Sequence, residues 1–127
     1  MPKPSEFVRH VLETMRLLGP VEAKAMFGGW GLYHRGAFFA LIADDALYLK
    51  TDDESRPDFE AAGLAPFVYS MKTGDITLSY FHAPAEALES PEVMAEWARR
   101  GYAAALRARG ARKRGGVRKA KPRGGAP

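Results

Sequence analysis

Near the start of the chain the apolar residues Phe7, Val8, Val11, Leu12, Met15 and Leu18 recur three and four positions apart. Arg9, His10, Glu13 and Arg16 fall between them, which predicts an amphipathic helix. Ser5 stands where a side-chain oxygen caps such a helix, and Gly19-Pro20 stops it. Beyond Pro20 the pattern changes to short runs rich in aromatic and aliphatic residues: Val21 to Phe27, Trp30 to Tyr33, Phe38 to Ala43, and Ala46 to Lys50. Gly28-Gly29, His34-Arg35-Gly36 and Asp44-Asp45 separate them, and runs joined by tight polar turns pair most simply as an antiparallel meander. At Gly28-Gly29 the expectation is a bend, a bulge or the close approach of another backbone.

Thr51 or Asp52 opens a short helix over Asp53 to Ala62, with acidic residues in its first turn, Phe59 facing inward and Gly63 as a left-handed cap. A second hairpin follows, from Pro66 to Met71 and from Ile76 to His82 around Lys72-Thr73-Gly74-Asp75. Ala85 to Leu88 predicts a helical turn. Ser90-Pro91-Glu92 then reads as cap, first-position proline and dipole-facing acid of a last helix running to about Arg109. Its inward stripe is Val93 or Met94, Trp97, Ala98, Gly101, Tyr102, Ala105 and Leu106, with Arg99, Arg100 and Arg107 more exposed. The fold class this order predicts is α+β: two layers, a mainly antiparallel sheet of five to six strands, and helices on one face. Residues 1–109 form the folded domain and 110–127 a basic disordered tail.

Composition changes the picture at the C-terminus. The chain has 127 residues and a formal charge of +4, yet residues 107–127 hold nine basic residues and no acidic one. They are Arg107, Arg109, Arg112, Lys113, Arg114, Arg118, Lys119, Lys121 and Arg123. The remaining body carries 10 basic against 15 acidic residues and is net negative. Five glycines and two prolines among the tail cations leave little apolar area to offset the entropy of ordering. Attraction to polyanions through phosphate neutralisation is what such a segment offers, so these nine cations are the candidate nucleic-acid contacts. A solubilising extension is the plain alternative. The absence of cysteine excludes disulfides, a thiolate zinc site and a cysteine nucleophile. No leader-like or bilayer-length apolar run is present, and the expected location is the cytoplasm.

Catalytic patterns are weak. Gly29-Trp30-Gly31 has His34 where a dinucleotide loop needs its third glycine, and no helix follows. His10, His34 and His82 lack ligand spacing, so no metal is expected and solvent-facing or capping histidines are the default. Asp44-Asp45 suits a hairpin turn, and Asp52-Asp53-Glu54 suits a helix start, which accounts for those carboxylates without catalysis. Ser5, Ser55, Ser70, Ser79 and Ser90 have no G-x-S-x-G context. The strand aromatics Tyr33, Phe38, Phe39, Tyr48, Phe67, Tyr69, Tyr80 and Phe81 divide between core packing and an uncovered face open to a partner or a base.

The segment Ala25-Met26-Phe27-Gly28-Gly29-Trp30-Gly31-Leu32-Tyr33, followed by Phe38 to Ile42 and Leu47 to Asp52, resembles the N-terminal domain of the TfoX/Sxy family of competence regulators. The likeness continues through Gly63 to Tyr69, Ser79-Tyr80, Pro84 to Glu89 and Trp97-Ala98, and covers roughly residues 5–109. It implies a two-layer domain of the secretion-chaperone-like kind. It also implies a regulatory role: full-length members promote expression of DNA-uptake genes, working with the cyclic-AMP receptor protein, and carry a second, helical C-terminal domain. Here the basic tail follows Arg109 instead. The family supplies no catalytic residues and no cofactor.

The expectation is therefore a non-enzymatic regulatory or adaptor domain that binds a protein partner or itself as a homodimer, with non-specific nucleic-acid affinity in the tail and no membrane contact. The competing expectation is a small-ligand or catalytic domain with a pocket between sheet and helices near Lys24, Arg35 or Gly28-Gly29.

Overall fold

The computed structural model describes residues 4–26 and 28–115. Helix α1 spans Glu6–Thr14 and tightens into a 3-10 turn at Met15–Leu17. Strands β1 (Glu22–Met26), β2 (Gly29–His34), β3 (Ala37–Ala43) and β4 (Ala46–Lys50) follow in a meander. Helix α2 (Arg56–Ala61) leads into the hairpin β5 (Pro66–Met71) and β6 (Gly74–His82), and a 3-10 turn (Ala85–Glu89) precedes helix α3 (Pro91–Gly115). The six strands are antiparallel in the order β1-β2-β3-β4-β6-β5, so the α+β, two-layer expectation holds with the larger strand number.

Local chemistry explains most boundaries. The Ser5 hydroxyl accepts the Val8 amide at 3.2 Å and starts α1, and the Ser90 hydroxyl does the same for Val93 at the start of α3. Arg35-Gly36 and Asp44-Asp45 are the two central residues of hairpins that pair His34 with Ala37 and Ala43 with Ala46. All four have positive φ, between 51° and 81°, which is the turn whose twist matches that of the strands it joins. At the end of α2, the Leu64 amide reaches the Phe59 carbonyl and the Gly63 amide the Glu60 carbonyl, with Gly63 at φ 77°, a Schellman stop.

The Gly28-Gly29 pair does two separate things. Met26 pairs with Gly29, so Gly28 lies in the connection between two strands and not in a bend within one. Gly29 is where another backbone approaches closely, because a Cβ there would run into the Ile42 carbonyl oxygen. An irregularity in the strand pattern does occur, but between β2 and β3. Leu32 faces Ala40 and Tyr33 faces Phe38, leaving Phe39 as the extra residue of a bulge.

One contiguous core lies between the helices and one face of the sheet. Val8 and Val11 of α1, Met15 of the 3-10 turn after it, and Met94, Ala98 and Ala105 of α3 pack against Leu32, Phe39, Leu47 and Leu49, all essentially inaccessible to water. Phe59 of α2 joins them through ring contacts with Phe81 and Trp97. Two expectations for α3 need correcting. Leu106 is 40% exposed and Ala104 is buried in its place, since the inward stripe at 94, 98, 101 and 105 leaves position 106 turned away. The helix also continues through Gly110 to Gly115, six residues past the expected end. One glycine costs about 1 kcal/mol relative to alanine. The surrounding Ala, Arg and Lys favour helix, and cations at a helix C-terminus are stabilised by its dipole. Residues 110–115 are thus helix and not tail; residues 116–127 lie outside those described.

Candidate functional site

The helix that carries the expected cations passes over the start of α2, and the first of them is engaged there. Asp52 caps that turn: its Oδ1 accepts the Ser55 amide at 2.9 Å, and the Ser55 hydroxyl accepts the Asp52 amide at 3.1 Å. Across from it, Arg107 donates from Nε to Asp52 Oδ2 at 2.6 Å and from its terminal nitrogen to Oδ1 at 3.0 Å, a two-pronged pair. Glu54 stands 3.4 Å from the same Nε. The Arg107 hydrogen bonds hold the Asp52 carboxyl down at about 2 despite partial burial, and the contact raises the pKa of Arg107 in turn. The neighbouring acids are engaged as well, Asp53 by Arg56 and Asp58 by Arg100.

Arg107 is therefore bound to the body, whereas Arg109 is exposed and pairs with no carboxylate among the described residues. The backbone of Arg112, Lys113 and Arg114 continues α3, their side chains being outside the description, and Arg118, Lys119, Lys121 and Arg123 lie outside the described residues. The helix expected over Asp53 to Ala62 starts only at Arg56, with Ser55 as its cap, so Asp52 holds the turn before α2, and the sequence reading missed its pairing with Arg107. The partner is 55 positions away, and no local pattern joins the two.

On the sheet, the face opposite the helices is aromatic. Tyr33 stacks on Phe38 at 5.1 Å between centroids, Phe38 meets Tyr80 at 5.9 Å, and Tyr48 meets both Phe67 and His82. Lys24 lies 4.7 Å above the Tyr33 ring. Phe39 and Phe81, which alternate with these residues, point the other way into the core. Burial pushes the Tyr80 phenol up to about 12, with the Tyr33 phenol adding to the effect. At one end of this face Met26, Leu41, Phe67, Tyr69 and Leu78 line an open cavity of about 350 Å³. Tyr69 at its rim is 53% exposed. The expected pocket between sheet and helices is thus displaced: Gly29 does border a cavity, but on the uncovered face, while Arg35 sits in an exposed turn.

Of the histidines, His34 departs from the expectation of a solvent-facing ring. His34 is buried, hydrogen-bonded through Nδ1 to the Pro20 carbonyl at 2.6 Å and set edge-on to Tyr102, so it fastens the α1–β1 connection to α3. His10 reaches the Leu88 carbonyl from the surface of α1. Among the described residues no group of three His, Asp or Glu is arranged to hold a metal ion, and no helix is long and apolar enough to cross a membrane.

Comparison with known proteins agrees with this architecture. The family model for the TfoX N-terminal domain matches residues 13–105, from the last turn of α1 to the inward stripe of α3. The DNA transformation protein TfoX1 of Aliivibrio fischeri is 36% identical over 67 residues, 53% of this chain and 32% of that protein, so the match takes in about a third of the relative's length. With the match running through every strand of the sheet, α2 and the core-packing part of α3, the chain belongs to the TfoX N-terminal domain family.

Proposed function

We propose that this chain is a non-enzymatic, cytoplasmic regulatory domain in the control of DNA uptake. It works by contact with a protein partner or a second copy of itself, and its basic C-terminal segment adds non-specific affinity for nucleic acid. One observation carries the reading: the family match spans both layers of the fold, and a relative 36% identical over 67 residues is named a DNA transformation protein. The aromatic face supports it, because an apolar surface left uncovered by helices is suited to contact with another macromolecule. Deletion of the gene in its host, followed by measurement of DNA-uptake transcripts and transformation frequency, is the direct test. Both should fall and recover on complementation; unchanged levels would reject the regulatory role. If about five phosphates are neutralised, log affinity for DNA falls with log salt at a slope near −4 to −5.

The cavity beside Phe67 and Leu78 favours a second reading, an apolar small ligand bound on the open face. A thermal-shift screen against apolar metabolites would show stabilisation under this reading and none under the first.

A further inference from the structure

Arg107 belongs at once to the basic series that ends the chain and to the acidic start of α2. We infer that Asp52 and Glu54 act as an intramolecular brake on polyanion binding, neutralising Arg107 and occupying one edge of its guanidinium in the geometry a phosphate would use, so that a nucleic-acid backbone competes with them for the root of the basic segment. The inference rests on the proposal that this segment carries nucleic-acid affinity.

The chemistry is competitive. A guanidinium carries five N–H donors on two edges, each edge suited to a two-oxygen acceptor, and carboxylate and phosphate fit either edge alike. Here the edge formed by Nε and one terminal nitrogen is taken by the two oxygens of Asp52, at 2.6 and 3.0 Å. Glu54 waits at 3.4 Å with its side chain largely in solvent, so a second carboxylate is at hand if the first is displaced. Asp53, between them, is already satisfied by Arg56. The exposed Arg109 lies one short step along the same helix, with Leu106, Ala108 and Ala111 on the rim shared with Asp52 and Glu54. The body's charge opposes the tail's at the place where they join.

Each phosphate neutralised contributes about −0.9 to the salt slope, and one more such contact at about 0.15 M salt corresponds to about fivefold tighter binding. The experiment uses the full chain and a fluorescein-labelled DNA duplex of arbitrary sequence, with anisotropy read across a series of KCl concentrations. Asp52→Asn keeps an oxygen to accept the Ser55 amide, so the turn before α2 survives while the charge is removed. The double variant Asp52→Asn/Glu54→Gln should bind about fivefold more tightly at about 0.15 M salt, with a slope steeper by about 0.9. Adding Arg107→Gln to it should cancel the gain. Arg107→Gln alone should leave the wild-type slope unchanged, a measurement that stands even if the carboxylate variant folds poorly. Loss of about one phosphate contact from Arg107→Gln alone, or equal slopes for wild type and the carboxylate variant, would overturn the brake while leaving nucleic-acid affinity in place. Absence of salt-dependent binding in both proteins would instead remove the affinity on which the inference stands.

Discussion

Gly101 lies in the middle of α3, where the helix rests on β3 and β4, and its replacement tests how closely the two layers approach. A Cβ at this position would stand 3.0 Å from the Phe39 carbonyl oxygen, 3.3 Å from Leu49 Cβ and 3.5 Å from the Lys50 nitrogen. Two effects then oppose each other. Alanine in a helix interior gains about 0.5–1 kcal/mol over glycine. Against this, the nearest atom belongs to the backbone of a central strand, held by its ladder on both sides, and it yields little. Gly101→Ala should therefore fall within about 1 kcal/mol of neutral. Gly101→Val adds two further carbons with no clear direction to occupy, and overpacking of this kind costs about 1–3 kcal/mol. A net loss of about 2 kcal/mol, at about 4 °C per kcal/mol for a domain of this size, lowers the melting temperature by about 8 °C. Urea unfolding followed through Trp97, which packs edge-on against Phe59, measures the loss, and the midpoint should drop with an unchanged m-value. A valine variant as stable as the wild type would mean that α3 does not sit this close to Phe39.

Two further outcomes follow from titrating groups. The Asp52 carboxyl titrates at about 2 in the fold against 3.8 in an unperturbed chain, so its pairing with Arg107 stabilises the protein above pH 4 and is lost as pH falls toward 2. Because the pair is part-exposed and screened, Asp52→Asn should cost about 1 kcal/mol at neutral pH, and its stability should meet that of the wild type near pH 2; a constant offset across the range would refute the assignment. The Tyr80 phenol, raised to about 12, stays protonated in the fold when an unfolded chain would already release its proton near 10. Stability should accordingly decline as pH rises from 10 toward 12. Tyr80→Phe should flatten that decline in alkaline unfolding curves, and an identical decline in the variant would place the cause elsewhere.

Legibility of the fold followed the range of the interactions that set each feature. The α1 cap at Ser5, the Asp44-Asp45 turn and the Gly63 stop all depend on neighbours within a few positions, and each is written in adjacent residues. What escaped depends on contacts remote in sequence. The bulge at Phe39 exists because β2 and β3 must stay paired while both keep apolar residues against α3, and alternation within one strand does not show it. His34 looks like a turn histidine until Pro20 and Tyr102 close around it. The division of the aromatics became definite once strand pairing assigned Tyr33, Phe38, Tyr48 and Tyr80 to one side and Phe39 and Phe81 to the other. For the basic segment, charge was legible and conformation was not, since Gly110 reads as a terminator while the dipole and the flanking helix formers outweigh it.

The continuation of α3 past Gly110 changes what a polyanion would meet. With a rise of about 1.5 Å per residue, the backbone from Arg107 to Arg114 covers only about 10 Å along the helix axis, whereas an extended chain would spread it over roughly 23 Å. Of the five basic residues in that interval Arg107 is held by Asp52, and the other four amount to about one per 2.5 Å, near the one charge per about 1.7 Å that duplex DNA presents. Helix formation thus raises the local charge density to about that of the ligand without adding a cation. Gly110→Pro separates the two quantities: net charge is unchanged, while the proline removes an amide donor and clashes one turn back, at a cost of about 3 kcal/mol to the helix. If density matters, the variant should bind duplex DNA several-fold more weakly with a shallower salt slope, its loss of helicity visible by circular dichroism. Equal binding by a variant that has lost this helicity would show that the cations act by number alone and that the helical arrangement is incidental to them.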